Sequence, residues 1–257
     1  MAAPDLPPPI RHAAVTNELA AHLIPAQADP AELRGAVVIM VDALRASTTI
    51  AAALHAGATA VRPFLTVEET LADAAKTKHR PMLGGERAGK LIPGFDLGNS
   101  PRDYIRDSVG GRSIAFTTTN GTAALLAAAH AGAAEVLIGC LANLTAVCER
   151  VAADHRPVHV LCAGTRDRVT LDDCIAAGAI VDRLLAGGRN LTPEDSARLC
   201  LAAWHLAEED LPAAMLASRG GRNLAAIGLQ RDVHDCSQID AHPVVPRFDP
   251  QTGTITA

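Results

Sequence analysis

The chain has 257 residues, 49% hydrophobic and 20% charged, with a mean hydropathy of +0.16; this is enough apolar material for a sizeable core and argues against disorder. A formal charge of −5 and only 2% aromatic residues argue against nucleic acid as a partner, because there is neither a basic surface nor a stacking platform. Cysteines at 140, 148, 162, 174, 200 and 236 show no CxxC spacing, so neither structural zinc nor a disulfide framework is expected.

Met1–Arg11 contains four prolines and Asp5 without a continuous apolar run, which reads as a frayed leader and not a signal peptide. Residues 1–30 are expected to hold this leader and a first helix, and 31–257 a single α/β domain, or two subdomains meeting at the site. Ala36–Val41 is a short apolar run of the kind that forms a strand buried on both faces. The polar segment Asp42–Thr49 follows, then an alanine-rich helix closed near Gly57, then a strand over Thr59–Phe64. The plan repeats: strand Ser113–Phe116, loop Thr117–Thr122, helix Ala123–Ala131, Gly132, strand Glu135–Ile138. Aligning 36–61 with 111–136 gives eight identical pairs, the pattern of duplicated strand–loop–helix units.

A third unit starts at Pro157–Cys162, turns through Ala163-Gly164-Thr165 and enters a helix from Leu171 to about Leu185. Thr192 is expected to cap a further helix with Pro193 at its first position, and the tail after Gly228 reads as irregular. Thr122–Val147 lacks Lys and Arg, but its His130, Gly132, Glu135 and Asn143 indicate buried helix, turn and strand instead of a membrane span. The fold class is therefore a three-layer α/β/α arrangement on a mainly parallel or mixed sheet. The protein is expected to be cytoplasmic, with no membrane partner; one sequence leaves homo-oligomerisation open.

In such sheets ligands bind beyond the carboxyl ends of the strands. Three strand ends deliver Asp42–Thr49, Thr117–Thr122 and Cys162–Thr165, and parallel strands would bring them to one rim. Hydroxyls, amides and glycines at helix N-termini suit an anion, which makes Ser47, Thr48, Thr49, Thr118, Thr119, Asn120, Gly121, Thr122, Cys162 and Gly164 candidates for holding phosphate. Asp42, Glu86 and Asp173 are hard oxygen ligands suited to Mg²⁺. Asp172 and Asp173 also complement the dipole of the helix they open, as His55 and His130 do at two helix ends. Gly84–Lys90 has the spacing of a phosphate-binding loop, but Leu91 stands where a metal-binding hydroxyl belongs and Glu86 would repel the phosphate. Cys162 and Arg168 match the spacing of a cysteine-nucleophile phosphatase, a rival reading; Val169 lacks the hydroxyl that would follow such an arginine.

Read in order, Val41-Asp42-Ala43-Leu44-Arg45-Ala46-Ser47-Thr48-Thr49-Ile50, Gly85-Glu86-Arg87, Gly94–Pro101 (GFDLGNSP), Thr117–Thr122 (TTTNGT), Cys162–Thr165, Leu171–Asp173, Gly221-Arg222, Asp240 and Val245-Pro246 resemble the 2-phosphosulfolactate phosphatase family. The likeness runs from about residue 36 onward. It implies a magnesium-dependent phosphatase of α/β fold that converts 2-phospho-3-sulfolactate to 3-sulfolactate and phosphate, a step toward coenzyme M. It implies catalytic roles for Asp42, Arg45, Glu86 and Asp173, attack by a metal-held water, and a small anionic substrate. Arg222, with Arg87 as a second candidate, would take the carboxylate or sulfonate. The chain departs from the family at Asp167 (usually glycine), Val169 (an aromatic), Thr170 (serine), Asp172 (glutamate) and Gly220 (histidine). A relative that has kept the anion pocket without turnover is the non-enzymatic alternative.

Overall fold

A computed structural model describes residues 17–257; the leader expected over Met1–Arg11 lies outside the described residues. The elements begin with β1 (Glu18–His22), α1 (Pro30–Leu33), β2 (Val37–Val41), α2 (Ala46–His55), β3 (Ala60–Phe64), α3 (Val67–Lys76), β4 (Met82–Arg87) and β5 (Lys90–Leu91). Next come α4 (Arg106–Val109), β6 (Ser113–Thr117), α5 (Gly121–His130), β7 (Glu135–Ile138), α6 (Leu144–Ala152), β8 (Val158–Cys162), α7 (Leu171–Ala186) and β9 (Asn190–Leu191). The remainder is α8 (Ser196–Ala207), α9 (Leu211–Ala217), α10 (Arg219–Ala226), α11 (Gln230–Cys236), β10 (Arg247–Asp249) and β11 (Thr254–Thr256).

Among the described residues, eleven strands form one mixed sheet in the order β5-β4-β6-β3-β11-β10-β7-β2-β8-β1-β9. Side chains alternate across a strand, and β2 is apolar at every position because both its faces are covered. Val37, Ile39 and Val41 enter a core with α6, α7 and α8, whereas Val38 and Met40 enter a second core with α2 and α5. The result is three layers, α/β/α. No helix among the described residues is long and apolar enough to cross a membrane.

The sheet consists of two parallel halves. β4, β6 and β3 pair in parallel, as do β7, β2, β8, β1 and β9. The hairpin β10–β11 joins them through three antiparallel steps, β7–β10, β10–β11 and β11–β3, so the halves run in opposite senses. Both repeated units cross this seam. β2 feeds β3 through α2 in one direction, and β6 feeds β7 through α5 in the other.

In the described residues before 31, β1 pairs in parallel with β8, Leu19 opposite Val158. Two expectations change. Thr192 does not cap a helix. Its amide continues the edge pairing to the Leu19 carbonyl at 3.0 Å, and α8 starts later with Asp195 at the N-cap. The tail is not irregular: it contains α11 and the hairpin that closes the sheet, with Phe248 and Ile255 buried.

At the amino edge of β7 and β8, Glu135 accepts from Arg150 at 2.7 Å and Arg156 at 2.8 Å, and Arg156 also pairs with Asp154. Hydrogen bonding to Arg156 holds the Asp154 carboxyl down at about 2. A depressed carboxylate stabilises the fold above its ordinary titration range, and that contribution is lost as pH falls through the folded value. Asp154→Asn is therefore expected to cost about 1–2 kcal/mol near pH 7. In urea unfolding, the gap to the wild type should close between about pH 4 and pH 2; a gap independent of pH would contradict this account.

Candidate active site

Asp42 is the first residue past β2 and lies between the N-termini of two helices. Its Oδ1 accepts from Ala46 N at 3.4 Å, and the Gly121 amide also donates to the carboxylate. A Cβ on Gly121 would lie 2.6 Å from Asp42 Oδ2 and 3.1 Å from the Ala46 methyl, so glycine is what lets α5 start this close to α2. Burial pushes the Asp42 carboxyl up to about 7, with the charges of Asp172 and Glu86 adding to the shift and the amides of Ala46 and Gly121 opposing it. A carboxyl in this range is suited to proton transfer at neutral pH.

Glu86 lies in β4 and not in a turn. The residue before it, Gly85, has φ +142° and would place a Cβ 2.1 Å from the Thr117 carbonyl oxygen, so β4 can lie against β6 here only through glycine. Glu86 Oε1 accepts from the Thr119 amide at 2.9 Å and its hydroxyl at 2.7 Å, and Oε2 accepts from Gly89 N at 2.7 Å. The carboxylate thereby fixes the loop after β6.

Asp172 and Asp173 open α7 and are both buried. Asp173 accepts from Ala43 N and Gly164 N, each at 2.8 Å, tying the loop after β2 to the loop after β8. Burial, then repulsion from Asp172 and Asp42, holds its carboxyl far above the usual range. Asp172 is raised by burial as well, and its Oδ1 has no partner. The loops after β6 and β8 are joined by a hydrogen bond from Arg166 N to Asn120 Oδ1 at 3.2 Å.

A cavity of about 520 Å³ lies among these loops. Asp42, Leu44 and Arg45 line it from beyond β2, Glu86 and Gly89 from β4 and its turn, and Thr118, Thr119 and Asn120 from beyond β6. Thr165 and Arg166 line it after β8, and Arg219, Gly220 and Asn223 from α10. The three strand ends do meet, although they do so across the seam of two opposed half-sheets and not along the rim of one parallel sheet. Asn99 also lines the cavity, and its buried Oδ1 is unpartnered.

Other expected residues are placed differently. Arg45 is buried, paired with Asp232, and donates through Nη2 to the Gly89 carbonyl at 2.8 Å; it forms a wall between this cavity and a neighbouring one of about 750 Å³. Asp173 does not line the cavity. Ser47, Thr48 and Thr49 are fully buried, their hydroxyls engaged by Asp42 N, the Ala43 carbonyl and the Asn99 carbonyl. Thr122 is buried against Thr118, with the hydroxyls 3.4 Å apart. Gly164 turns the loop after β8 at φ +63°. Arg87 is directed to the Leu65 and Glu86 carbonyls and the Thr117 hydroxyl, and exposed Arg222 bonds the Ala217 carbonyl. Cys162 points into the core, where contact with Cys174 and Cys200 and then burial keep its thiol well above the usual range. With Arg168 exposed on the following loop, a thiolate nucleophile at Cys162 has no physical support.

The cationic lining that sequence reasoning missed is Arg166 and Arg219. Both lie just outside the segments that carry the family resemblance, and only their loop and helix positions show which arginines line the cavity. No sequence signal singled out Asp232.

A model of the family described as 2-phosphosulpholactate phosphatase matches residues 22–251. A relative from Symbiobacterium thermophilum, named probable 2-phosphosulfolactate phosphatase, is 39% identical over 218 residues, covering 84% of this chain and 93% of the relative. Relatives of the same name from Caldanaerobacter subterraneus subsp. tengcongensis and Deinococcus radiodurans are 37% and 39% identical, over 84% and 83% of this chain and 89% and 88% of their own lengths.

Proposed function

The chain belongs to the 2-phosphosulfolactate phosphatase family, and we propose that it hydrolyses 2-phospho-3-sulfolactate, or a closely related phosphorylated acid, to the hydroxy acid and phosphate with Mg²⁺. The observation that carries this reading is the Asp42 carboxyl, held between the N-termini of α2 and α5 at a cavity that Arg166 and Arg219 also line. Two helix dipoles and two guanidinium groups make a cavity suited to a dianion and a second acidic group.

The donor set fits Mg²⁺. It consists of carboxylate oxygens gathered against their mutual repulsion, with Asp172 Oδ1 buried and unpartnered. Among the described residues, Asp42, Glu86 and Asp173 do not bring ligand atoms within 4.8 Å of one another. That spacing suits an ion that uses one or two carboxylates and fills its shell with water and phosphate oxygens. Asp42 and Glu86 would hold it from opposite halves of the sheet, while Asp173 is committed to the amides of Ala43 and Gly164. When bound, the ion supplies charge neutralisation for the phosphoryl group.

The chain's own residues do the rest. The loop Thr118–Asn120, which lines the cavity and is held to Glu86 through the Thr119 amide and hydroxyl, orients the phosphoryl oxygens. Arg166 and Arg219 take the remaining acidic groups. Gly220 stands where the family usually has histidine; a Cβ here would lie 2.7 Å from Asp172 Oδ2, so the glycine lets α10 approach that buried carboxyl.

The test is phosphate release from 2-phosphosulfolactate and a panel of phosphorylated hydroxy acids. Chelator-treated protein is expected to be inactive and to recover with Mg²⁺; full activity in chelator would overturn the metal assignment, and no turnover of any substrate would overturn the reaction. Arg219→Met is expected to raise KM about 10–100-fold with a smaller change in kcat, because the residue binds the part of the substrate that does not react. An unchanged KM would remove Arg219 from substrate binding.

A further inference from the structure

Apart from the residues of the phosphoester cavity, two histidines and a glutamate from three separate elements converge on one point. His22 closes β1, His159 lies within β8, and Glu32 is on α1. The strands are parallel neighbours with Ala20 opposite His159 and His22 opposite Leu161. Side chains alternate, so His22 shares the face of Ala20 and therefore of His159. The rings stack with centroids 5.2 Å apart and planes 8° from parallel, and His22 Nε2 is 2.9 Å from His159 Nδ1. One ligand atom from each of His22, Glu32 and His159 lies within 4.8 Å of the other two.

We propose that His22, His159 and Glu32 form a second metal site, for a divalent ion of the zinc and cobalt class, which ties β1 and α1 to β8. Two imidazoles and one carboxylate are a donor set for such ions and not for Mg²⁺. Two nitrogens each about 2.0–2.1 Å from an ion are about 3.0 Å apart at a right angle and about 3.4 Å apart in a tetrahedron. The observed separation of 2.9 Å therefore needs little movement. Burial lowers both histidines, His159 to about 4, so neither ring carries a charge that would repel a cation. The Gln27 backbone engages His22 and the charge of Glu194 acts on both rings, the kind of surroundings that orient metal-binding imidazoles.

Without an ion, the facing nitrogens share one proton in a hydrogen bond. Loading the ion moves that proton to the far nitrogen of the donor ring, so both rings stay neutral and none is released. Glu32 is exposed and gives the ion a way in. The site stands apart from turnover but close to its frame: Ile24, just beyond β1, packs on Gly164, where a Cβ would lie 2.8 Å from Ile24 Cγ2.

The experiment is titration of chelator-treated protein with Co²⁺ in excess Mg²⁺, read by visible absorption and calorimetry. One Co²⁺ per chain is expected to bind with an imidazole-type spectrum and to raise the melting temperature. Glu32→Gln, on an exposed side chain that does not threaten folding, is expected to weaken binding at least tenfold, and His159→Asn to abolish it. Asp42→Asn is expected to bind Co²⁺ as the wild type does, which separates this site from the phosphoester cavity. Absence of Co²⁺ binding, or equal affinity in the wild type and Glu32→Gln, would overturn the proposal.

Discussion

Asp42→Asn is expected to lower kcat/KM on the phosphorylated acid by about 10³-fold while the protein keeps its fold. The carboxyl is raised to about 7 by burial and by the nearby charges of Asp172 and Glu86, so in the absence of a cation its charge is a burden on the folded state. The amide substitution removes that burden, together with the anionic oxygen that would hold the ion. An asparagine oxygen can still accept from Ala46 N, so α2 should keep its start. The measurements are steady-state kinetics with saturating Mg²⁺ and a thermal melt in chelator. A melting temperature no lower than that of the wild type, with activity lost, identifies a residue kept for chemistry at the expense of stability. Activity within tenfold of the wild type would take Asp42 out of the reaction.

The second large effect concerns a residue nowhere near the motifs. Asp232→Ala is expected to lower the unfolding free energy by about 3–5 kcal/mol, because it leaves the Arg45 guanidinium buried without its counter-charge. Both side chains are almost inaccessible, at 3% and 2% exposure, and Ser100 adds a hydrogen bond to Asp232 at 2.9 Å, so little water can replace the lost carboxylate. Urea unfolding measures the cost. The double variant Arg45→Met/Asp232→Leu is expected to recover much of the stability, since apolar pairs of similar volume often replace a buried ion pair without loss. It should not recover activity, because the wall that Arg45 builds between the two cavities would lose its donors. If Asp232→Ala unfolds within about 1 kcal/mol of the wild type, the pair is not the structural clamp described here.

What the sequence made legible was the part written in local pattern. The run Val37–Val41 is apolar at every position because both faces are covered, and the helices after Asp42 and Asn120 follow from alanine content and terminal glycines. Asp42 and the Thr118–Asn120 loop were expected at one rim because strand ends in α/β sheets carry ligands, and Glu86 joined them as a hard oxygen ligand; all of them line the cavity. The readings that changed depended on long-range partners. Arg45 was given a catalytic role by the resemblance and Arg222 an acidic group of the substrate, yet Asp232 pairs with the first and the Ala217 carbonyl accepts from the second. Ser47, Thr48 and Thr49 look like anion ligands in one dimension, but α2 turns all three inward. The β10–β11 hairpin was missed because three-residue strands separated by Pro250 and Gly253 show too little alternation, and the pairing of His22 with His159 depends on strand register, which no local window contains.

The reciprocal crossing of α2 and α5 has a bearing on how this molecule can be divided. Neither half-sheet is a contiguous stretch of chain: the half holding Asp42 borrows β7 from the unit that carries Thr118, and the other borrows β3 in return. Severing the backbone between β5 and β6 would leave two pieces still entwined, each holding a strand the other requires. Neither piece is a transplantable module, and a gene exchange that swapped one half for a distant relative's would have to match both crossing helices at once.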